Sequence, residues 1–390
     1  MGARGKSMDT HPERAGAGPE GQHSPALAYP VGQHPQLPPP VVQTGPVAWV
    51  RDNLFGSPLD IAMTMCVAWL LYTLLPPFID WAFVKGTLFG QSRQDCNPDG
   101  ACWVFLKVRF DQFVYGFYPA GDHWRVNLTA AILAVLGLLF FVPRVPYKGV
   151  IALFSLTVFP VIAYVLLVGG VFGLEHVETP KWGGVFLTVL VSVAGIVLAL
   201  ALGIVLALGR QSPLPIISSI CTAYIEFVRA VPFITILFMA SVMLPLFLPE
   251  GVSLEKLLRA MIGTGLFWAA YMAEAVRGGL QALPRGQYEA ASAIGLNYWK
   301  SMSFIVLPQA LKHSIPGIMN TIISLVKDTT LLLLIGIFEL LGIVQAAAAD
   351  PKWLGNYVEG YVAVALVFFL FCFGMSRYSQ QLEKRLDTGY

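Results

Sequence analysis

The 390-residue chain is 56% hydrophobic and only 12% charged, against about 25% charged residues in soluble domains, which excludes an ordinary soluble domain and predicts an integral membrane protein. A formal net charge of +2 is too small for nucleic-acid binding, so the 25 Lys and Arg matter chiefly for where they fall between apolar runs. Five cysteines exclude a disulfide-dense scaffold, and no CxxC or Cys/His grouping has zinc-ligand spacing, so no metal site is predicted.

Residues 1–50 contain "THPERAGAGPEGQHSPALAYPVGQHPQLPPPVVQTGP", a tract with too little apolar surface to offset the entropy of ordering, and are read as a disordered cytoplasmic tail. Gly5-Lys6-Ser7 is no phosphate loop, because that motif needs a glycine five positions earlier. The tail lacks the charged-then-apolar order of a signal peptide, and no cleavage is expected.

A bilayer core of roughly 30 Å needs about 20 mostly apolar residues per helix. Eight such spans are predicted, near 59–83, 125–142, 149–173, 183–208, 230–249, 257–277, 308–343 and 357–376. The second is short and runs into Arg125. The seventh is too long for one straight crossing and is interrupted by "KDTT" at 327–330. Arg144, Lys148, Arg210, Arg277, Arg285, Lys300, Lys312, Arg377, Lys384 and Arg385 fall on one side, which the positive-inside rule makes cytoplasmic, with both termini there.

The long outside loop, about 84–124, carries "DCNPDGACW". Turn chemistry and an oxidising compartment make Cys96 and Cys102 a candidate disulfide, with free thiols as the alternative. Cys66, Cys221 and Cys372 lie in or beside apolar spans and read as small core hydrophobes. Asn127-Leu128-Thr129 fits a glycosylation sequon but sits at a span edge.

Between the sixth and seventh spans lies "EAASAIGLNYWKSMSFIVLP", residues 289–308, a small-residue stretch that predicts helix, tight turn, helix. Pro284 can start the first helix, Gly295 can end it in the left-handed conformation, and Asn297 can cap the second. Ala290, Ala291 and Ala293 give a thin surface for close docking, with Tyr288, Ile294 and Trp299 as anchors. An interfacial connector on lipid headgroups is the alternative, though such a helix carries more Lys and Arg on one face.

The spacing Glu289-Ala290-Ala291, Gly295, then Ile305, Leu307 and Pro308 resembles the EAA signature of the permease subunits of bacterial ABC importers. "AYIEFVRAVPFITILF" (223–238), "MAEAVRGGLQALPRGQYEAA" (272–291) and "LVKDTTLLLLIGIFEL" (325–340) resemble its polar amino acid branch. The likeness covers about 182–390 and implies a five-helix permease domain there, while residues 51–181, with three further spans and "GACWVFLKVRFDQFVYGFYP", resemble the N-terminal extension of M-type permeases of general L-amino acid importers. The resemblance implies an all-α polytopic permease of the bacterial inner membrane that carries L-amino acids by alternating access. It also implies a second permease subunit, a dimer of separate ATPases docked on the 289–308 hairpin, and a periplasmic binding protein. ATP and Mg belong to the ATPase, consistent with the lack of a Walker A motif here, and no cofactor is implied on this chain.

Charges in or beside the spans are candidates for the path. Lys327 and Asp328 are consecutive and point about 100° apart, so they do not pair along a regular helix. Asp328, Thr329 or Thr330 is expected to cap a helix beginning at Leu331, leaving a broken helix whose end either contacts the substrate or works as a hinge or gate. Glu226 with Arg229, and Glu274 with Arg277, are spaced for helical ion pairs. Glu339 is a further candidate for the path, with no partner evident. Pro232 and Pro308 are expected to kink or begin spans. The competing functional classes are an ion-coupled secondary transporter, which needs no docking hairpin, and a membrane scaffold, which moves no solute. No hydrolytic constellation accompanies the six His, so no enzyme activity is expected.

Overall fold

In the computed structural model, residues 45–142, 145–249 and 254–386 are described. Residues 1–44 of the tail, with Gly5-Lys6-Ser7, as well as Arg144, residues 250–253 and the side chain of Arg385, lie outside the described residues. The helices are α1 (Pro46–Leu54), α2 (Pro58–Ile79), α3 (Val104–Val108), α4 (Phe110–Tyr115), α5 (His123–Phe141), α6 (Lys148–Val168), α7 (Gly184–Arg210) and α8 (Pro215–Ala230). They continue with α9 (Phe233–Phe238), α10 (Leu244–Phe247), α11 (Lys256–Ala282), α12 (Arg285–Ala293), α13 (Tyr298–Ser301), α14 (Leu307–Asp328), α15 (Leu340–Ala348) and α16 (Tyr357–Leu386). Helix α1 begins inside the stretch read as disordered, with Pro46 in the first turn, where its missing N–H costs nothing.

The chain divides into two units, one through Pro76 and one from Pro77. In the first, the Thr64 hydroxyl donates to the Leu54 carbonyl at 2.8 Å, tying α2 to the end of α1. No residue of α2 is buried. A helix apolar all round with no packed face is suited to lipid.

In the second unit, small residues decide where helices meet. Along α7, Gly195, Ala199, Gly203 and Ala207 recur every fourth position and are all buried, the small-xxx-small pattern that lets two backbones approach closely in a membrane. They face α11: a Cβ at Gly195 would stand 3.2 Å from Thr264 Cγ2, and one at Gly203 would stand 2.7 Å from Met272 Cβ. Gly265 of α11 returns the contact, with its Cβ position 2.4 Å from Leu198 Cδ2. On another face of α11, a Cβ at Gly279 would meet the Ala310 carbonyl oxygen of α14 at 2.2 Å and Ser314 Oγ at 2.0 Å. Helix α11 is thus wedged between α7 and α14 and buries fourteen residues.

Among the described residues, five helices are long and apolar enough to cross a membrane: Pro58–Val84, Lys148–Val168, Gly184–Arg210, Tyr298–Ile335 and Tyr357–Lys384. A sixth is added if α8 and the segment Phe233–Phe247, bent by 105° across their break, count as one. The expected spans at 125–142 and 257–277 are also helices, α5 and α11, but stand outside that set. Helix α11, enclosed by protein, carries Lys256, Arg259, Glu274 and Arg277 without presenting a wholly apolar surface.

The fifth expected span began at residue 230, and the structure corrects this: a helix occupies Pro215–Ala230, and Pro232, which cannot donate to the preceding turn, starts a new direction. The expected segment 308–343 is likewise re-divided. A continuous helical run from Tyr298 reaches Ile335, with a π turn at Met302–Val306 and a tight 3₁₀ stretch at Thr329–Ile335. Gly336, at φ +70°, ends it, and α15 restarts at Leu340.

The loop between α2 and α5 joins the bundle. Val104, Phe105 and Phe113 bury against Leu340, Ile343, Val344 and Ala347 of α15 and Trp353. The Cys102 amide donates to Glu359 Oε1 of α16 at 2.8 Å, and Arg109 pairs with Asp350. Cys96 and Cys102 form a disulfide, Cα to Cα 5.4 Å. Arg125 is fully buried, donating to the carbonyls of Leu166 (2.5 Å) and Glu175 (3.0 Å) near the end of α6, so it locks the α5–α6 hairpin.

Two consequences are measurable. Gly279→Ala is expected to destabilise the detergent-solubilised protein by about 2 kcal/mol through overpacking, whereas Gly278→Ala, whose Cβ position has nothing within 4 Å, is expected to leave the thermal midpoint unchanged or raised. The Lys352 amide, 2.9 Å away, and the Arg109 guanidinium hold the Asp350 carboxyl below the usual carboxylate range, with burial opposing. A depressed folded value means the pair's stabilisation is present above the ordinary carboxylate range and is lost as pH falls through that folded value. Thermal midpoints at stepped acid pH are therefore expected to fall more steeply for the wild type than for Asp350→Asn.

Candidate functional site

At the end of the bundle where α11 stops and α14 begins, Pro284 is the N-cap of α12. The helix closes in a Schellman motif: the Leu296 amide donates to the Ala291 carbonyl at 3.2 Å and the Gly295 amide to the Ser292 carbonyl at 3.0 Å. Gly295, at φ +78°, supplies the left-handed turn. Asn297 Oδ1 then accepts from the Lys300 amide at 3.0 Å and caps α13. The inward side is anchored by Ala291, fully buried, and by Tyr288 packed on the cluster of Leu280, Met302 and Val306. Gln309 Nε2 donates to Gln287 Oε1 at 3.1 Å, bracing α14 against α12. Glu289, Ala290 and Gly295 are exposed, Ile305 and Leu307 half-buried, and Pro308 exposed. Ile294 and Trp299, each 71% exposed, leave the hairpin's tip apolar.

Above the hairpin lies a charge network that keeps the expected Glu274–Arg277 pair but not the expected Glu226–Arg229 one. Glu226 pairs with Arg210 at 2.9 Å and not with Arg229. Glu274 is held by three arginines: Arg277 at 2.7 Å, Arg210 at 2.6 Å and Arg229 at 3.5 Å. The i,i+3 spacing of 226 and 229 misled because Arg210, at the end of α7, reaches both acids from a neighbouring helix. Helices α7, α8 and α11 are joined through one carboxylate.

Arg229 also faces a cavity of about 420 Å³, lined by Val231, Pro232, Phe233, Phe267, Trp268, Tyr271 and Asp328. Phe233 comes from the start of α9 at the Pro232 bend, the aromatics from successive turns of α11, and Asp328 from the last residue of α14. Arg229 stacks over Tyr271, 5.7 Å to the ring centroid. The Trp268 indole N–H is buried without a hydrogen-bond partner. One guanidinium and one carboxylate thus share an aromatic cavity, a combination able to take a small zwitterion. Sequence reasoning singled out Asp328 but placed Arg229 only in a structural pair. The aromatics Phe267, Trp268 and Tyr271, at helical spacing in 267–271, were the available signal.

The remaining candidates do not gather at one point. Asp328 does not cap a helix at Leu331, nor do its neighbours: the Thr329 and Thr330 hydroxyls donate back to the Val326 and Lys327 carbonyls at 2.7 and 2.8 Å. The capped helix is α15, and its cap is Glu339, whose carboxylate accepts from the Leu341 and Gly342 amides, both at 2.9 Å. Glu339 is fully buried. Lys327 is exposed and continues a polar stripe along α14 made by His313, Gly317, Asn320 and Ser324, at alternating steps of four and three that place them on one face.

The family of binding-protein-dependent transport system inner membrane components matches residues 195–388. The chain is 50% identical over 356 residues to an inner membrane amino-acid ABC transporter permease protein of Escherichia coli, covering 91% of this chain and 97% of that one. It is 40% identical over 423 residues to the glutamate/glutamine/aspartate/asparagine transport system permease protein of Rhodobacter capsulatus, covering 90% and 96%. A solved amino acid ABC transporter with histidines is 25% identical over 52% of this chain and 92% of that chain, with a TM-score of 0.46.

Glu339→Ala leaves two helix N-terminal amides, that of Gly342 buried and that of Leu341 part-buried, without their acceptor, and a loss of about 1–2 kcal/mol of stability is expected, read as a lowered thermal midpoint. With matches to amino-acid ABC permeases over about 90% of its length, the chain belongs to the binding-protein-dependent transport system inner membrane components, as a multi-pass ABC permease that transports and does not itself catalyse.

Proposed function

We propose that this permease imports L-amino acids, and that the cavity between Arg229 and Asp328 is where an amino acid rests during passage. The observation that carries the reading is the pairing of opposite charges across an aromatic-lined space of about 420 Å³, which matches a ligand bearing both an ammonium and a carboxylate. The two relatives are both amino-acid permeases, which supports the same substrate class.

A binding-protein-dependent system brings an ATPase and a binding protein as partners. The hairpin of α12 and α13 is the ATPase seat, with Ile294 and Trp299 as anchors and Glu289 and Ala290 on the exposed side. ATP and Mg act on that separate subunit, whose closure drives the hairpins and turns the permease between inward-facing and outward-facing states. A second, different permease subunit covers the polar stripe of α14, because His313, Asn320 and Lys327 are costly against lipid and satisfied against a partner or a watered path. On this reading the eight expected helices all cross the membrane, and both termini are cytoplasmic.

The test is co-purification of the complex followed by uptake of a panel of labelled amino acids into vesicles. ATP-dependent accumulation is expected, with Asp328→Ala weakening apparent affinity by about tenfold, as for loss of a charged ligand contact. Uptake driven by an ion gradient without ATP, or unchanged affinity with lost transport in Asp328→Ala, overturns the respective parts.

A further inference from the structure

We infer that Arg229 is shared between two carboxylates, that of Glu274 and the α-carboxylate of the carried amino acid, so that a filled cavity loosens the bent α8–α9 segment from α11. The inference rests on the reading of the cavity as the amino-acid site and adds how its occupancy is communicated.

Three observations carry it. First, the three arginines around Glu274 are held unequally. Arg210 and Arg277 make short contacts of 2.6 and 2.7 Å, and Arg277 adds its Nε to both carboxylate oxygens at 3.1 Å. Arg229 stands at 3.5 Å and makes no hydrogen bond to Glu274 among the described residues. Glu274 therefore keeps two close arginines if Arg229 leaves.

Second, Arg229 is the group of the network that also lines the cavity. Its guanidinium carries five donors in a planar fork suited to a carboxylate, and against protein it uses one long ion pair and one ring face, Tyr271. Asp328 lines the same cavity, so a zwitterion with its carboxylate on Arg229 has an acid available for its ammonium.

Third, Arg229 lies one residue from the end of α8 at Ala230, immediately before the 105° bend at Val231 and Pro232. Its contact with Glu274 ties the last turn of α8, just before that bend, to α11. Moving the guanidinium from Glu274 to a ligand removes a tie at the place where the chain already changes direction. The coupling is reciprocal: Glu274 weakens ligand binding by the same factor by which ligand weakens the Arg229–Glu274 contact.

The experiment uses the assembled transporter in detergent, with L-glutamine and L-glutamine amide, which lacks the free carboxylate, as probes. Glu274→Gln is expected to bind L-glutamine about fivefold tighter with little change toward the amide, and Arg229→Lys to bind it more weakly. Glu226→Gln, whose ion-pair partner among the described residues is Arg210 and not Arg229, is expected to match the wild type. Because Glu274→Gln also strips Arg210 and Arg277 of their partner, hydrogen exchange on the unmodified transporter supplies the second measurement. Adding L-glutamine is expected to speed exchange of backbone amides at 227–233, whereas the amide leaves it unchanged. Slower or unchanged exchange with L-glutamine bound, or equal weakening of both probes in Glu274→Gln, overturns the sharing of Arg229 while the cavity stands as the site. Failure of the wild type to bind L-glutamine or any other amino acid removes the cavity reading and this inference together.

Discussion

Everything in the bundle follows from the closeness of α7 and α11. With Gly195, Ala199, Gly203 and Ala207 along one ridge, the two backbones approach until Met272 and Thr264 fill what side chains would otherwise occupy. In lipid there is no solvent-driven force between helices, so shape and dispersion carry the contact. Once α11 is pinned there and at Gly279 against α14, its remaining face is committed. Phe267, Trp268, Tyr271 and Glu274 must look toward α8 and α9, and the cavity and the charge network are what that face meets.

The polar groups then divide by what surrounds them. Glu339 and Arg125 are fully buried and bonded to backbone, the one by two helix amides, the other by loop and helix carbonyls, with Arg125 Nη2 left without a hydrogen-bond partner among the described residues. They hold structure. Arg229 and Asp328 face open volume and are incompletely satisfied by the protein itself. A membrane interior makes such groups expensive, which is the ground for proposing that a ligand's charges meet them there. The contrast between Glu339 and Asp328, eleven residues apart, is the clearest separation of a structural acid from one available for binding.

Mechanical continuity links these parts to the hairpin. The Schellman turn at Gly295 and the Asn297 cap make α12 and α13 a rigid elbow. Tyr288, Ala291 and Gln287 fasten it to the ends of α11 and α14. Motion imposed on the exposed tip is therefore delivered to the two helices that carry Glu274 and Asp328.

Much of this was legible before the fold. Apolar run lengths predicted most of the helices, and Pro284, Gly295 and Asn297 announced the hairpin because caps and turns are chosen by backbone conformation within a few residues. The Glu289-Ala290-Ala291 spacing carried the family. What sequence could not supply was partner identity across helices: Glu226 was nearest in chain to Arg229 but pairs with Arg210. The interruption read at "KDTT" is where α14 ends at Asp328 and gives way to a 3₁₀ stretch, although the helical run itself continues to Ile335 before Gly336 ends it. Local sequence determines which residues begin, end and cap a helix, because those interactions span a turn or two. Which arginine meets which acid, and whether Arg229 faces a cavity, depends on helix rotation and approach set by small residues many turns away, and only the tertiary structure decides that.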